Sequence, residues 1–256
     1  MIPKKIHYCW FGGKPLNKLG KKCLKSWRKF FPGYEIIEWN EENFDINCCR
    51  YVREAYAEKK FAFVSDYVRF KVLYEQGGLY FDTDVEVIKS FDDIIANGSF
   101  MGCENPDLSC MRVNAGLGLA AAPGLELYKE IIEDYENSSF YKEDGSLNLY
   151  TVVERTTDLL YSLGLQNTFE IQQVAGITIY PAEYFCPIDM RTGKLEKTAN
   201  THSIHRFAAS WVSKKDRFRG KVYRFIARSF GEKTAKKFQK VFGKKHRKQV
   251  DSAENT

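Results

Sequence analysis

Two aspartates, Asp82 and Asp84, stand one residue apart in the otherwise apolar run GGLYFDTDVEV (77–87). If this run forms one strand, its residues i and i+2 project from the same face, with Cα atoms about 6.5 Å apart. Paired carboxylates provide the hard oxygen ligands that Mg²⁺ and Mn²⁺ prefer, and phosphate oxygens can complete the coordination. The spacing therefore predicts a divalent metal that offsets the charge of a departing diphosphate.

The same spacing permits three other interpretations. Aspartates at a strand end often only form a turn. Phosphatases of the haloacid dehalogenase type also have D-x-D after an apolar strand, but they have Thr or Val two residues beyond the second aspartate, where this chain has Glu86. Glycoside hydrolases use two carboxylates about 5–5.5 Å apart when retaining and about 6.5–9.5 Å apart when inverting. The spacing alone does not exclude such a hydrolase.

Ser65, Asp66 and Arg69 stand at the predicted start of the helix that precedes this strand. In a structural interpretation, Ser65 caps the helix, and Asp66 lies in its first turn and pairs with Arg69 at i, i+3. In a functional interpretation, Arg69 contacts a phosphate or a sugar and Asp66 contacts sugar hydroxyls. Taken by themselves, these residues favour the structural interpretation.

Apolar periodicity and the Gly and Pro stops predict an α/β fold. The predicted strands cover 5–10, 34–39, 79–88, 115–122 and 177–181, and the predicted helices cover 17–30, 50–60, 64–76, 124–136 and 148–162. Strands that alternate with helices imply a mostly parallel sheet covered on both faces. Asp82 and Asp84 would then lie at a strand end, where open α/β sheets bind their ligands.

Three segments occur in a recognisable order: IHYCWFGG (6–13), AFVSDYVRFKVLYEQGGLYFDTDVEV (62–87) and HSIHRFAASW (202–211). Over roughly residues 1–213 the chain resembles glycosyltransferase family 32, which includes bacterial capsular-polysaccharide transferases and has the glucosylating clostridial toxins as distant relatives. The resemblance implies a GT-A-type fold, a nucleotide-sugar donor, commonly a UDP-sugar, and Mn²⁺ or Mg²⁺. It also implies a glycan acceptor and transfer with retention of anomeric configuration.

The resemblance assigns roles to the four central residues. Asp84 would be the direct metal ligand, and Asp82 would lie nearer the ribose and the donor sugar. Asp66 and Arg69 would contact the donor sugar. These four residues form the catalytic set that the resemblance implies.

Further roles follow from the two outer segments. Trp10 would stack on the base of the donor, and His205 would contact the metal or a phosphate. Ser210 and Trp211 would close over the diphosphate. Relatives often have a second aromatic residue or His after the late His, whereas this chain has Arg206, so the resemblance is weaker on the acceptor side.

Some of these residues also have ordinary structural interpretations. Trp10 ends an apolar strand, where a Trp more often belongs to the core. Asn114 precedes the apolar run AGLGLAAA (115–122) and either contacts a sugar or simply forms a turn. A pair such as His202 and His205 makes no zinc site without further ligands.

The function predicted from these residues and the resemblance is a metal-dependent, retaining hexosyltransferase that acts in bacterial capsular or surface polysaccharide synthesis. The alternative, from another class, is a catalytically silent nucleotide-sugar-binding or membrane-adaptor protein that keeps the fold. Turnover of a donor with an acceptor separates the two.

The basic charge is concentrated at the C-terminal end. Residues 214–248 contain 15 of the 39 Lys and Arg residues but only two of the 33 acidic ones. An apolar stripe at helical spacing runs through this segment, formed by Val222, Phe225, Ile226 and Phe230. We therefore predict two domains, a catalytic one over 1–213 and a basic amphipathic helical tail over 214–256. Such a tail suits an anionic membrane surface, or packs its stripe on the catalytic domain, and no nucleic-acid-binding motif accompanies it.

The remaining features predict a cytoplasmic protein, which the tail would hold at the inner face of the cell membrane, near a lipid-linked acceptor. The seven cysteines are odd in number and include no C-x-x-C pair, which indicates reduced thiols. No apolar run approaches the ~18 residues that span a bilayer. The N-terminal residues show no apolar segment or cleavage site of a secretion signal.

Overall fold

The computed structural model describes residues 1–107, 110–208 and 214–238. Its strands are, in chain order, β1 Lys5–Cys9, β2 Glu35–Trp39, β3 Gly78–Tyr80, β4 Val85–Val87, β5 Phe100–Asp107, β6 Cys110–Asn114, β7 Leu119–Ala121, β8 Gln172–Val174, β9 Ile177–Tyr180 and β10 Ser203–His205. Its helices are α1 Lys18–Phe30, α2 Arg50–Ala57, α3 Phe61–Gln76, α4 Asp92–Ala96, α5 Glu126–Glu136, α6 Val152–Ser162, α7 Ala182–Phe185 and α8 Lys214–Phe230. None of the described helices is both long and apolar enough to cross a bilayer.

The central sheet has the order β2-β1-β3-β7-β5-β9-β8, with β6 paired to β5. β1 runs parallel to β2 and β3, and β5 runs parallel to β9, whereas the β3–β7, β5–β7, β5–β6 and β8–β9 pairs are antiparallel. The α/β class predicted from the sequence is confirmed, but the prediction of a mostly parallel sheet is wrong. The reason is that β5, β6 and β7 follow one another without a crossover helix, and short connections join antiparallel strands.

Both faces of the sheet are covered, as the sequence predicts. Successive strand residues alternate between two apolar clusters, so that Leu79 and Phe81 belong to one cluster and Tyr80 belongs to the other. One cluster receives side chains from α2, α3, α5 and α6, and the other receives them from α1, α4 and α7. None of the seven cysteines forms a disulfide bond.

The predicted strand 79–88 is in fact two strands joined by a turn. β3 ends at Tyr80 in the central sheet, and β4 begins at Val85 in a separate two-stranded sheet with β10. The backbone N–H of Val85 donates to the carbonyl of Asp82 at 3.0 Å, which closes the turn. Asp82 and Asp84 are therefore turn residues, and the expectation of two side chains on one strand face is wrong.

Two helices begin three or four residues away from their predicted starts at 64 and 148. α3 begins at Phe61, so Ser65 lies inside it and its hydroxyl donates to the Phe61 carbonyl of the preceding turn at 3.0 Å. Ser65 is not a helix cap. α6 begins only at Val152, where Thr151 and Glu154 form a capping box.

The chain forms two compact units. The first comprises Met1–Pro187 and Lys197–Ala208 and holds the whole central sheet. The second comprises Ile188–Glu196 and, among the described residues that follow, 214–238 with α8.

Candidate active site

Asp82 and Asp84 lie in the turn that follows the carboxyl end of β3. The backbone N–H of Asp82 donates to the Gly116 carbonyl at 3.0 Å, which connects the turn to the loop between β6 and β7. The Asp84 carboxylate accepts the backbone N–H of Ala208 at 2.7 Å, and the Asp84 carbonyl accepts the N–H of Arg206 at 3.0 Å. The turn is therefore fixed from both sides.

His205 joins the two aspartates because β10 pairs with β4. In this ladder His205 lies opposite Val85, and its Nε2 is 3.2 Å from Asp84 Oδ1. One ligand atom from each of Asp82, Asp84 and His205 lies within 4.8 Å of the other two. Two carboxylate oxygens and one imidazole nitrogen at this separation fit a divalent cation, with coordination positions left for a ligand.

The charges at the cluster are balanced in pairs. Burial disfavours a charged His205, but the neighbouring Asp84 carboxylate prevails and holds the imidazole pKa well above its ordinary value. Burial likewise disfavours a charged Asp84, yet His205 and the Ala208 N–H lower its carboxyl pKa. Asp82 has a raised pKa because of burial, which the Arg69 charge only partly offsets.

Arg69 lies beside Asp82 and is 3% exposed. Its Nη2 is 2.7 Å from Asp66 Oδ1 and 3.4 Å from Asp82 Oδ1, and its guanidinium lies 4.9 Å from the centre of the Tyr80 ring. Its Nε donates to the Ser65 carbonyl at 3.1 Å. The buried Nη1 has no hydrogen-bond partner among the described residues. An unpaired buried N–H costs about 1–3 kcal/mol, so this atom is suited to an oxygen of a ligand.

Asp66 is buried and orients Arg69. Burial raises the pKa of its carboxyl to about 7, against the opposing effect of Arg69, and the Asp82 charge raises it further. The carboxyl also accepts the backbone N–H of Val152, the first residue of α6. The predicted Asp66–Arg69 ion pair is present, and it is made through Nη2 and not through Nη1 of Arg69.

One family model matches the chain over residues 18–101, and its description is "Glycosyltransferase sugar-binding region containing DXD motif". Asp66, Arg69, Asp82 and Asp84 all lie inside the matched range. The protein is a glycosyltransferase, and about a third of its chain matches the DXD-containing sugar-binding region. The predicted resemblance and the predicted class of enzyme are thereby confirmed.

Solved structures similar to this glycosyltransferase include one named "PaToxG Glycosyltransferase", at 17% identity and a TM-score of 0.47, covering 63% of this chain and 69% of that chain. A second is a glycosyltransferase involved in the glycosylation of the major capsid of PBCV-1, at 13% identity and a TM-score of 0.42, covering 83% of this chain and 96% of that chain. A third is described as a transferase mutant, at 11% identity and a TM-score of 0.43, covering 65% and 89%. No curated protein sequence is significantly similar to the chain.

The sequence did not predict the role of Gly116, whose missing side chain leaves room for the Asp82 carboxylate. A Cβ at this glycine would lie 2.0 Å from Asp82 Oδ2, which is an impossible distance. Asn114 holds the glycine in place, because its Oδ1 accepts the Gly116 N–H at 2.7 Å and its Nδ2 donates to Glu104 Oε2 at 2.6 Å. The Asn-x-Gly spacing is a turn signal, and its proximity to Asp82 follows only from the β3–β7 pairing.

Trp10 follows the carboxyl end of β1, as Asp82 follows that of the neighbouring parallel strand β3, so both lie at one edge of the sheet. Trp10 is half-buried and packs against the core, and it also lines a cavity of about 700 Å³ with Tyr56 and Phe61. The core interpretation and the base-stacking interpretation are compatible at this position.

The remaining predicted residues divide into three cases. Ser210 and Trp211 lie outside the described residues. His202 is not in the metal cluster, since its Nδ1 lies 2.6 Å from the Ser90 carbonyl and its ring stacks on Tyr184. Arg206 is bound to Glu86 through Nε at 2.8 Å. Arg206, which stands where relatives often have an aromatic residue or His, thus pairs with Glu86, which stands where the phosphatases have Thr or Val.

Proposed function

We propose that the protein is a metal-dependent, retaining glycosyltransferase of the GT-A type that transfers a hexose from a nucleotide-sugar, a UDP-sugar, to a glycan acceptor. The observation that carries this proposal is the Asp82–Asp84–His205 cluster beside the unpartnered Nη1 of Arg69. A cation and a guanidinium side by side are the groups that bind a diphosphate.

In this proposal Asp84, Asp82 and His205 hold Mn²⁺ or Mg²⁺, which, when bound, offsets the negative charge that develops on the leaving diphosphate. Arg69 donates from Nη1 to a phosphate or sugar oxygen. Asp66 keeps the guanidinium in that orientation through the 2.7 Å ion pair. Trp10 stacks on the uracil ring from its place at the same edge of the sheet.

Retention of the anomeric configuration is proposed from the resemblance to family 32. The bond between the anomeric carbon and the diphosphate oxygen breaks, and a bond from that carbon to the acceptor hydroxyl oxygen forms on the same face of the sugar. The hydroxyl proton passes to the leaving diphosphate, so no additional base is required. Arg69 stabilises the diphosphate as its negative charge grows.

The proposed setting is the synthesis of a bacterial capsular or other surface polysaccharide. The support is the resemblance to capsular-polysaccharide transferases in the three sequence segments. The acceptor is then a growing glycan on a lipid carrier.

The experiment is a transfer assay. The purified protein with Mn²⁺ is incubated with UDP- and GDP-hexoses and a panel of oligosaccharide acceptors, and the nucleoside diphosphate and the glycan product are quantified together. NMR of the product reads its anomeric configuration. We expect UDP and an elongated glycan in equal amounts, with the configuration retained.

Other outcomes point to the competing functions. Donor binding without turnover over the whole panel would indicate the catalytically silent binding protein. Release of inorganic phosphate or of free sugar from substrates without a nucleotide product would indicate a phosphatase or a glycosidase.

A further inference from the structure

Helix α8 exposes three large apolar side chains. Phe218, Phe225 and Phe230 are 67%, 66% and 68% exposed. Phe218 and Phe225 are seven residues apart, and two turns of helix bring them to the same face. Clustered exposed aromatic residues mark an interaction surface, whereas single ones scattered over a protein are ordinary.

The opposite face of α8 is the buried one. Ala227 is buried, and Gly220, seven residues before it, is half-buried. Arg224 lies between them, and its Cδ is 3.0 Å from the place where a Cβ of Gly193 would stand. The face with Gly220 and Ala227 is therefore the buried one, and Phe218 and Phe225 lie on the exposed one.

Basic residues flank the exposed phenylalanines. α8 contains seven Lys and Arg residues and one acidic residue, Asp216. Lys221 and Arg228 are exposed and, at three residues beyond Phe218 and Phe225 respectively, lie along the edge of the same face. The surface is therefore both apolar and positively charged.

We propose that the exposed face of α8 docks on an anionic lipid bilayer. A basic helix with aromatic residues on one face lies in the plane of the interface, with its rings among the headgroups and its Lys and Arg residues on lipid phosphates. The charge complementarity selects lipid over a second copy of this basic helix, which would repel it. Such docking places the protein at the inner face of the cell membrane, where a lipid-linked acceptor would be found.

The experiment uses the full chain and vesicles of phosphatidylcholine with and without phosphatidylglycerol, at low and at physiological salt. The first variant combines Phe218→Ser with Phe225→Ser. Its matched control is Phe169→Ser, which changes a phenylalanine of the first unit that is 47% exposed. The other is Lys221→Glu with Arg228→Glu, and its matched control is Lys21→Glu with Lys25→Glu, at exposed lysines of α1.

We expect the wild-type chain to sediment with anionic vesicles and much less with neutral ones, and the binding to weaken as salt screens charges beyond about 8 Å. The phenylalanine pair should weaken binding at least about tenfold, and the charge pair should weaken it at least about fivefold per residue. Both controls should bind as the wild type does. Transfer to a soluble acceptor should not change, since α8 holds no residue of the candidate site.

Three results would overturn the proposal. The first is equal vesicle binding by the α8 variants and the wild type. The second is equal binding to neutral and anionic vesicles. The third is that neither the wild type nor any variant binds vesicles, while the double phenylalanine variant loses self-association or RNA binding. That result would assign the face to a second copy or to nucleic acid.

Discussion

At the scale of single residues, the geometry of the site depends on the contacts that fix the Asp84 carboxylate and backbone. Its carboxylate contacts His205 and the Ala208 N–H, and its carbonyl accepts the Arg206 N–H. All three contacts come from the segment around β10, more than a hundred residues away in the chain. The Asp82 carboxylate accepts the Tyr80 hydroxyl at 3.1 Å and shares Arg69 with Asp66.

Asp84→Asn should abolish transfer while the protein stays folded, because it removes the charge of the proposed metal ligand and nearly preserves the side-chain shape. Loss of several kcal/mol of transition-state stabilisation corresponds to about a hundredfold or greater loss in rate. The measurement is the initial rate at saturating donor, with a parallel thermal melt. The matched control is Asp93→Asn, whose side chain is 62% exposed.

Removal of the metal should reproduce this defect in the wild-type protein. A chelator should stop transfer, and added Mn²⁺ or Mg²⁺ should restore it. Full-rate transfer by the chelated enzyme or by the Asp84→Asn variant would mean that the two aspartates only form a turn.

Gly116→Ala should disturb the site through Asp82. The new Cβ would lie 2.0 Å from Asp82 Oδ2, so the carboxylate must move. Changes to the residues that orient a metal ligand typically weaken metal affinity about 10–100-fold, and we expect a shift of this size in a Mn²⁺ titration of the transfer rate. Gly220→Ala is the control, because its Cβ meets only the two terminal nitrogens of Arg224, at 3.6 and 4.0 Å. An unchanged Mn²⁺ titration for Gly116→Ala would contradict the assigned role.

At the scale of secondary-structure elements, His7 connects β1, β2 and the end of α3. The indole N–H of Trp39 can only donate, and it lies 3.0 Å from His7 Nδ1, so this nitrogen accepts. The ring proton of neutral His7 is then on Nε2 and is donated to the Gly77 carbonyl at 2.9 Å. Burial lowers the His7 pKa to about 4, and the Gly77 carbonyl only partly opposes this effect.

This contact predicts acid sensitivity. Between pH 6.5 and 4 the unfolded chain binds a proton at His7 and the folded chain does not, so the free energy of unfolding falls as the pH falls. From pH 7 to pH 5 the His7 contribution is about 2 kcal/mol, and it is complete below pH 4. Urea unfolding at the two pH values measures the change. His7→Gln, which can still donate to Gly77, should flatten the dependence, and an equally steep dependence in this variant would assign the effect to other groups.

At the scale of the whole molecule, ligand binding should appear as stability, since a ligand that binds only the folded state raises the free energy of unfolding. UDP with Mn²⁺ at about 100 times its dissociation constant adds about 2.7 kcal/mol, which raises Tm by roughly 2–4 °C for each kcal/mol in a chain of this size. A shift with UDP and Mn²⁺ together, larger than with either alone, is the expected result of a thermal melt.

Trp10→Ala should reduce this stabilisation without removing it. Stacking of a base on an aromatic side chain is worth about 1–3 kcal/mol, so the affinity for UDP should fall by that amount while the Mn²⁺ effect remains. Isothermal titration with UDP measures the loss. A variant that folds, keeps its Mn²⁺ response and binds UDP as tightly as the wild type would leave Trp10 as a core residue only.

The sequence by itself determined the features that depend on local pattern. Alternating apolar runs and Gly–Gly stops identified the α/β class and the helix before Asp82, and the A-x-x-SD-x-x-R…D-x-D block identified the class of enzyme. Asp66 and Arg69 are three residues apart on one helix, so their ion pair followed from helical periodicity. These predictions held because each depends on residues that are close together in the chain.

Only the tertiary structure decided which distant segments meet at the two aspartates. Gly116 and Asn114 reach Asp82 because β7 pairs antiparallel with β3, and His205 reaches Asp84 because β10 pairs with β4. The predicted strand 79–88 was broken at the same place, since the chain leaves the central sheet after Tyr80 to make the second pairing. Strand partners and register are set by packing between segments far apart in sequence, and a local pattern carries no information about them.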